Sequence, residues 1–79
     1  MNKRTVYVMF RDSEAGNVPE GLARRIDDYP TAERVGEVER TNLSPDLHAI
    51  PVKIPIHETT RFMEACRGDD CYLVSLDKL

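Results

Sequence analysis

An apolar side chain recurs at every second position between residues 50 and 56, and this is the clearest pattern in the chain. The alternating set is Ile50, Val52, Ile54 and Ile56. This period is typical of a β-strand that buries one face, and it predicts that Lys53 is exposed. Pro51 and Pro55 lack N–H donors and fall on the alternate positions, so both missing donors lie along one edge. The segment therefore predicts an edge strand with a single partner strand.

The first forty residues predict a strand followed by a helix. Residues 5–10 are β-branched and aromatic and apolar on both faces, which indicates a central strand covered by helices on at least one side. Asn17, Pro19 and Glu20 have the spacing of a helix start with a capping box. Leu22, Ile26 and Tyr29 then form one helical stripe, and Pro30 ends the helix at the residue before it.

Residues 32–43 carry two competing patterns. Ala32, Val35 and Val38 recur at helical spacing, and the Glu and Arg residues between them favour a helix. Gly36 argues against a helix interior and is compatible with a bulge in a strand. We favour a strand over residues 34–41, with the helix as the alternative. Ser44-Pro45-Asp46 then predicts a turn that leads into the alternating strand.

The last third of the chain predicts a second helix and a final strand. The helix is expected to begin within His57-Glu58-Thr59-Thr60 with a threonine cap, and Gly68 is expected to be the left-handed residue that follows its end. Its apolar face consists of Phe62, Met63 and Cys66. Residues 71–76 predict the last strand, in which Tyr72, Val74 and Leu76 alternate.

The predicted order is β-α-β-β-α-β, which indicates an α+β fold with a four-stranded, mostly antiparallel sheet and two helices. This order is typical of ferredoxin-like domains. In that fold the third strand is central, whereas Pro51 and Pro55 favour an edge. A variant strand order is therefore the alternative. With 79 residues, we expect one small domain over residues 1–79.

Composition narrows the classes of partner that fit this chain. The chain has 11 basic and 14 acidic side chains, a net charge of −3 and no basic run, so direct nucleic-acid binding is disfavoured. Mild acidity fits a basic protein partner better. No apolar run has membrane-spanning length and no signal peptide is recognisable, which predicts a cytoplasmic protein without a membrane partner. A homodimer would bury additional apolar surface.

No set of residues predicts a catalytic or cofactor site. Cys66 and Cys71 are separated by four residues, an unusual spacing for zinc, and we interpret them as reduced, inert side chains. The acidic pairs Asp27-Asp28 and Asp69-Asp70 are interpreted as solvated charge, because adjacent helical residues point in different directions. There is no glycine-rich phosphate loop and no HExxH motif. We predict no cofactor and no metal.

The position of Asp12 resembles that of a functional residue in a known group of proteins. It lies directly after the first predicted strand, a position that resembles that of an aspartate in some small ferredoxin-like nucleases, among them a group linked to CRISPR spacer acquisition. In those nucleases the aspartate binds a metal across a dimer axis. The resemblance rests on topology and on this residue, and it implies a metal-dependent nuclease as the alternative function.

The leading hypothesis is a small acidic protein-binding domain without enzymatic activity, acting as a stoichiometric inhibitor or regulator of a larger protein. Small phage and mobile-element proteins, such as anti-CRISPR proteins, have a similar profile, and their targets include nucleic-acid-handling complexes with a basic groove. The predicted contact residues are Arg24, Arg25, Asp27, Asp28, Arg67, Asp69 and Asp70. The alternatives are the nuclease that uses Asp12 and a dimeric accessory subunit.

Overall fold

Two helices pack on one face of an antiparallel sheet in a computed structural model that describes residues 2–11, 17–67 and 71–77. The helices are α1 (Glu20–Asp28) and α2 (Thr59–Cys66), the latter preceded by a short 3-10 helix (Ile56–Glu58). The strands are β1 (Lys3–Arg11), β2 (Glu33–Arg34), β3 (Glu39–Arg40), β4 (Leu47–Pro55) and β5 (Cys71–Ser75). The predicted α+β class is confirmed.

The strand order is β2-β4-β1-β5, and β3 also pairs with β4. Each of these pairings is antiparallel. Within residues 2–11, 17–67 and 71–77 the sheet has five strands rather than the predicted four, because the strand predicted over residues 34–41 is divided into β2 and β3. Gly36 lies between them with a φ of +90°, a conformation that interrupts a ladder and that residues with a side chain rarely adopt. The sheet is thus a variant of the split βαβ arrangement with one edge in two pieces.

The prediction that the alternating strand lies at an edge with one partner is wrong. β4 pairs with β1 along its whole length and with β2 and β3 on its other side. The Pro51 carbonyl accepts a 2.9 Å bond from the Val35 amide, so the backbone groups of Pro51 face β2 and β3. The prolines therefore reduce the number of hydrogen-bond donors on one side of β4. That side is paired by two-residue strands instead of being left unpaired.

The core lies between the helices and the even-numbered positions of the long strands. Val8, Ile50 and Val52 from the sheet pack with Leu22 and Phe62 from the helices, and all five are buried. Across the sheet a smaller cluster contains Met9, Leu47 and Ala49. Both faces of β1 are therefore packed, and β1 is central, as the apolar segment at residues 5–10 predicts.

The strand and helix ends differ from the predictions at several positions. β4 ends at Pro55, so Ile56 lies in the 3-10 helix and is 50% exposed, not buried. α1 begins at Glu20 with Pro19 at its N-cap, so the helix starts two residues later than a cap at Asn17 predicts. In α2 the Thr59 hydroxyl donates a 2.7 Å bond to the Ile56 carbonyl. Gly68 lies outside the described residues.

Candidate protein-binding site at the free sheet edge

Four of the predicted contact residues lie on the exposed face of α1, and a fifth, Arg67, directly follows α2. Those on α1 are Arg24, Arg25, Asp27 and Asp28. The two remaining predicted contacts, Asp69 and Asp70, lie outside the described residues. So does Asp12, the residue of the nuclease alternative. The structure therefore places the predicted contacts on two elements, α1 and the end of α2.

The charges on α1 are largely engaged within the protein. Arg24 pairs with Glu20 one turn away, at 3.3 Å. Asp27 pairs with Arg34 of β2 at 3.1 Å. Exposed pairs of this kind contribute about 0–1 kcal/mol each to stability. Because this face carries both acids and bases, the exposed face of α1 is not a patch of one sign.

Arg25 connects the two helices. Its Nη1 donates a 2.9 Å bond to the Ala65 carbonyl, which belongs to the last turn of α2. Carbonyl groups in the last turn of a helix have no partner within the helix, and a cation is favourable there. Arg25 thus stabilises the packing of α1 on α2, and this role requires its side chain to remain in place.

The two edges of the sheet differ in a way that indicates where a partner binds. The edge formed by β2 and β3 consists of two-residue strands of Glu and Arg. Short, charged edge strands are a common protection against unwanted strand pairing. The opposite edge is β5, five uncharged residues that pair with β1 alone within the described part of the chain. This edge lacks the same protection.

The backbone of Val74 points toward the free edge. The carbonyl of Pro51 points away from β1. Backbone N–H and C=O groups of successive residues point to opposite sides of a strand, so those of Ile50 point toward β1. Ile50 is paired with Val8, whose backbone groups therefore point toward β4. Met9 and Tyr7 then face β5, where they oppose Leu73 and Ser75. Between these two residues, Val74 must direct its N–H and C=O outward. An added strand would find a donor and an acceptor there.

A groove runs beside this edge, between the end of α2 and β5. Its volume is about 240 Å³, and it is lined by Met63, Arg67, Cys71, Tyr72, Leu73 and Val74. Pockets for drug-sized ligands are larger, roughly 300–1,000 Å³. The groove has room for one or two side chains of a partner, and Arg67 places a positive charge at it.

Tyr72 is both exposed and held in place. It is 51% exposed, and the Arg11 guanidinium lies 4.7 Å from its ring centroid. Arg11 is fixed in turn by Asp46, at 3.1 and 3.3 Å. Hydrogen bonds from Ser44 and from Arg11 lower the pKa of Asp46, so the carboxylate remains ionised. An exposed aromatic ring that is already ordered binds a partner at a reduced entropic cost.

The two thiols are poorly suited to catalysis. Cys66 is buried, Cys71 lines the groove, and both are free. Burial raises the pKa of Cys66 to about 12 and also raises the pKa of Cys71. The nucleophile and metal ligand is the thiolate, which is scarce at neutral pH for both residues. Among the described residues, no group of three or more His, Cys, Asp and Glu side chains is placed to hold a metal ion.

A polar network around Glu58 was not anticipated from the sequence. The hydroxyls of Tyr29 and Thr31 each donate a 3.1 Å bond to the same carboxylate oxygen of Glu58. Burial and the hydrogen bond to Glu58 raise the pKa of Tyr29. The Tyr29 ring also packs edge-on against Phe62, with centroids 5.1 Å apart. These contacts fasten the end of α1 to the start of α2, which is a structural role.

We call the residues Met63, Arg67 and Cys71–Leu76 the β5 edge site. Sequence reasoning selected Arg67 from it and missed the rest. The available signal was charge: residues 71–76 carry none, whereas 32% of the chain is charged. Comparisons with protein-family models, curated proteins and solved structures found no match to this chain. None of the described helices is long and apolar enough to cross a membrane.

Proposed function

We propose that this chain is a non-enzymatic protein-binding domain that acts as a stoichiometric inhibitor or regulator of a larger protein. The observation that carries the proposal is the β5 edge site. It combines an uncharged strand edge, an ordered and exposed Tyr72, and a groove of side-chain size. Each of these features suits contact with another polypeptide.

The proposed mode of binding is strand addition. An extended segment of the partner pairs with β5 through the outward N–H and C=O of Val74, which supplies affinity through the main chain. A partner side chain occupies the groove, and an acidic group near it pairs with Arg67. Tyr72 contributes apolar contact area, since tyrosine is frequent among the residues that dominate binding energy.

The proposed target class is a nucleic-acid-handling protein complex in the cytoplasm, such as those inhibited by anti-CRISPR proteins. Support comes from the net charge of −3, which favours a basic partner surface and disfavours direct contact with phosphates. The acidic residues Asp27 and Asp28 of α1 would assist encounter with such a surface. Affinity would come chiefly from the β5 edge site.

The test is capture of partners from the native host with wild-type protein and two matched variants. Tyr72→Asp places a charge in the site, and Leu43→Asp introduces the same charge at an apolar position outside the site that is 62% exposed. We expect a stoichiometric partner with wild type and Leu43→Asp, and at least about a tenfold loss with Tyr72→Asp, equivalent to about 1.4 kcal/mol. Circular dichroism verifies that both variants fold.

The nuclease alternative makes a different prediction in the same experiment. It requires metal-dependent cleavage of nucleic acid that Asp12→Ala abolishes. A capture result unaffected by Tyr72→Asp would refute the β5 edge site. Cleavage that depends on Asp12 and on a divalent metal would refute the non-enzymatic assignment.

A further inference from the structure

Tyr72 of the β5 edge site contacts a side chain from outside the site, Arg11 at the end of β1. We propose that Arg11 and Asp46 are positioning residues for Tyr72: Asp46 fixes Arg11, and Arg11 holds the ring in the orientation that the partner contacts. This inference rests on the proposed function, because it names residues that set the affinity of the same site. Asp46 acts through Arg11 without touching the partner.

A bulge in β5 releases Tyr72 from the alternation of the strand. Met9 and Phe10 are adjacent on β1, but their partners on β5, which are Leu73 and Cys71, lie two positions apart. Leu73 packs against the cluster across the sheet from the helices, whereas Cys71 packs against the core beneath them. In a regular strand these two side chains would share a face. Tyr72 is therefore the extra residue of the bulge, and bulges of this kind re-aim a side chain.

The re-aimed ring needs support from another element, because regular pairing does not fix its direction. Arg11 supplies this support from β1, with its guanidinium lying over the ring at 4.7 Å from the centroid. The ring remains 51% exposed, so surface is left for a partner. A cation over an exposed ring gives only a modest attraction. Arg11 can therefore order the ring only if the guanidinium is itself held.

Asp46 holds the guanidinium of Arg11. Its two carboxylate oxygens accept bonds from Arg11 Nη1 at 3.1 and 3.3 Å, and the Ser44 hydroxyl donates to the same carboxylate. This turn is fixed in turn by β4, because the amide of the buried Leu47 donates a 3.2 Å bond to the Ser44 carbonyl. A series of contacts thus connects the buried start of β4 to Tyr72.

The Arg11–Asp46 pair matters more for binding than for folding. Its side chains are 51% and 39% exposed, and ion pairs this exposed contribute little to stability. A side chain that is ordered before it binds, however, loses less conformational entropy on binding. A comparable exposed pair, Arg24–Glu20 at 3.3 Å, lies within α1. That pair provides a matched control.

The first measurement is NMR of the free protein. The Arg11 guanidinium lies over the Tyr72 ring, so the ring current should shift the neighbouring Arg11 side-chain resonances upfield. Asp46→Asn keeps the shape of the side chain and removes its charge, and it should move these resonances toward their positions in Tyr72→Leu, which lacks the ring. Glu20→Gln should leave them unchanged. An unchanged shift in Asp46→Asn would overturn the inference, whatever the partner.

The second measurement is the dissociation constant of the partner captured by wild type, arranged as a double-mutant cycle. Asp46→Asn should raise this constant about two- to tenfold when Tyr72 is present. It should have no further effect in the Tyr72→Leu background. Glu20→Gln reports the effect of losing one negative charge alone. Equal losses from Asp46→Asn in both backgrounds would refute an action through Tyr72.

The positioning role and the proposed function fail in different ways. If Tyr72→Asp abolishes capture but Asp46→Asn binds as tightly as Glu20→Gln, only the positioning role is refuted. If the Arg11 shift depends on Asp46 while capture ignores Tyr72→Asp, the proposed function is refuted and Asp46 still positions the ring.

Discussion

Ile54 lies on the packed face of β4 with its side chain fully buried, and the adjacent Lys53 is exposed. Ile54→Ala removes three carbon atoms from a core that the small size of the domain makes difficult to repack. We expect a loss of about 2–5 kcal/mol in the free energy of unfolding. Lys53→Ala is the matched control and should change it by less than about 0.5 kcal/mol. Urea unfolding of both variants measures the difference, and equal losses would contradict the packing of β4.

Cys66 predicts a dependence of stability on alkaline pH. Burial raises the pKa of its thiol from 9.0 to about 12, so the folded protein keeps a proton that the unfolded chain loses in this interval. Stability from this group is therefore complete below pH 9 and is lost as the pH rises toward 12. One such thiol contributes a slope of about 1.4 kcal/mol per pH unit.

The test compares urea unfolding of wild type and Cys66→Ala at several pH values above 9. The variant should be less stable at neutral pH, since Cys66 is buried, and its stability should fall less steeply with pH. Cys71 and Tyr29 have raised pKa values as well. Both residues are present in both proteins, so the comparison reports Cys66 together with its electrostatic interactions with these two groups. Parallel pH profiles would show that Cys66 titrates normally.

Part of the burial in β4 was predictable from the local alternation, although Pro51 and Pro55 on the alternate positions are buried as well. The alternation correctly predicted that Ile50, Val52 and Ile54 are buried and that Lys53 is exposed. It failed at Ile56, where the backbone leaves the strand after Pro55 and enters a 3-10 helix. The apolar period continues through that change of backbone, so the sequence alone does not locate it.

At the scale of elements, Gly36 separates the two short strands β2 and β3 at one edge of the sheet. Its φ of +90° is unfavourable for residues with a side chain, although an added Cβ would meet no atom within 4 Å. Gly36→Ala should therefore cost about 1–2 kcal/mol through the backbone alone. Gly21→Ala, within α1, is the control and should instead stabilise by up to about 1 kcal/mol. Thermal unfolding of both variants gives the comparison, and a neutral Gly36→Ala would contradict the left-handed backbone.

The order of the elements was predictable from the sequence, whereas the position of β4 within the sheet was not. Pro51 and Pro55 correctly indicate which side of β4 lacks donors. The carbonyls on that side still accept hydrogen bonds, as Pro51 does from Val35 and Leu47 from Thr41. This pairing comes from the segment predicted as a strand over residues 34–41, which forms the two short strands β2 and β3. The two prolines, which predicted an edge strand, instead mark the weakly paired side of a strand that lies inside the sheet.

For the whole molecule, the position of the candidate site follows from strand order. β5 is an edge because β1 lies between it and β4, and no local pattern in residues 71–75 contains that information. The engagement of α1 is equally non-local: Asp27 pairs with Arg34, and Arg25 bonds to Ala65, forty positions away. Composition drew attention to the charged helix residues. Only the fold distinguishes those with internal partners from an edge that is open to another chain.

The proposal assigns the association rate to the charges on α1 and the affinity to the β5 edge site, and this leads to a kinetic prediction. Reversing Asp27 and Asp28 to lysine changes exposed charge that is screened beyond about 8 Å at physiological ionic strength. The double variant should slow association with the captured partner and alter its salt dependence, with little effect on dissociation. Loss of the Asp27–Arg34 pair should cost at most about 1 kcal/mol of stability, so the fold is retained.

Tyr72→Asp should produce the opposite pattern, because it removes contact area in the bound state and leaves the charge on α1 unchanged. We expect faster dissociation and an association rate within a few-fold of wild type, since interface substitutions act mainly on dissociation. Surface plasmon resonance at low and physiological salt measures both rates for the two variants. Faster dissociation of the α1 variant, together with wild-type rates for Tyr72→Asp, would move the binding surface from the β5 edge to α1.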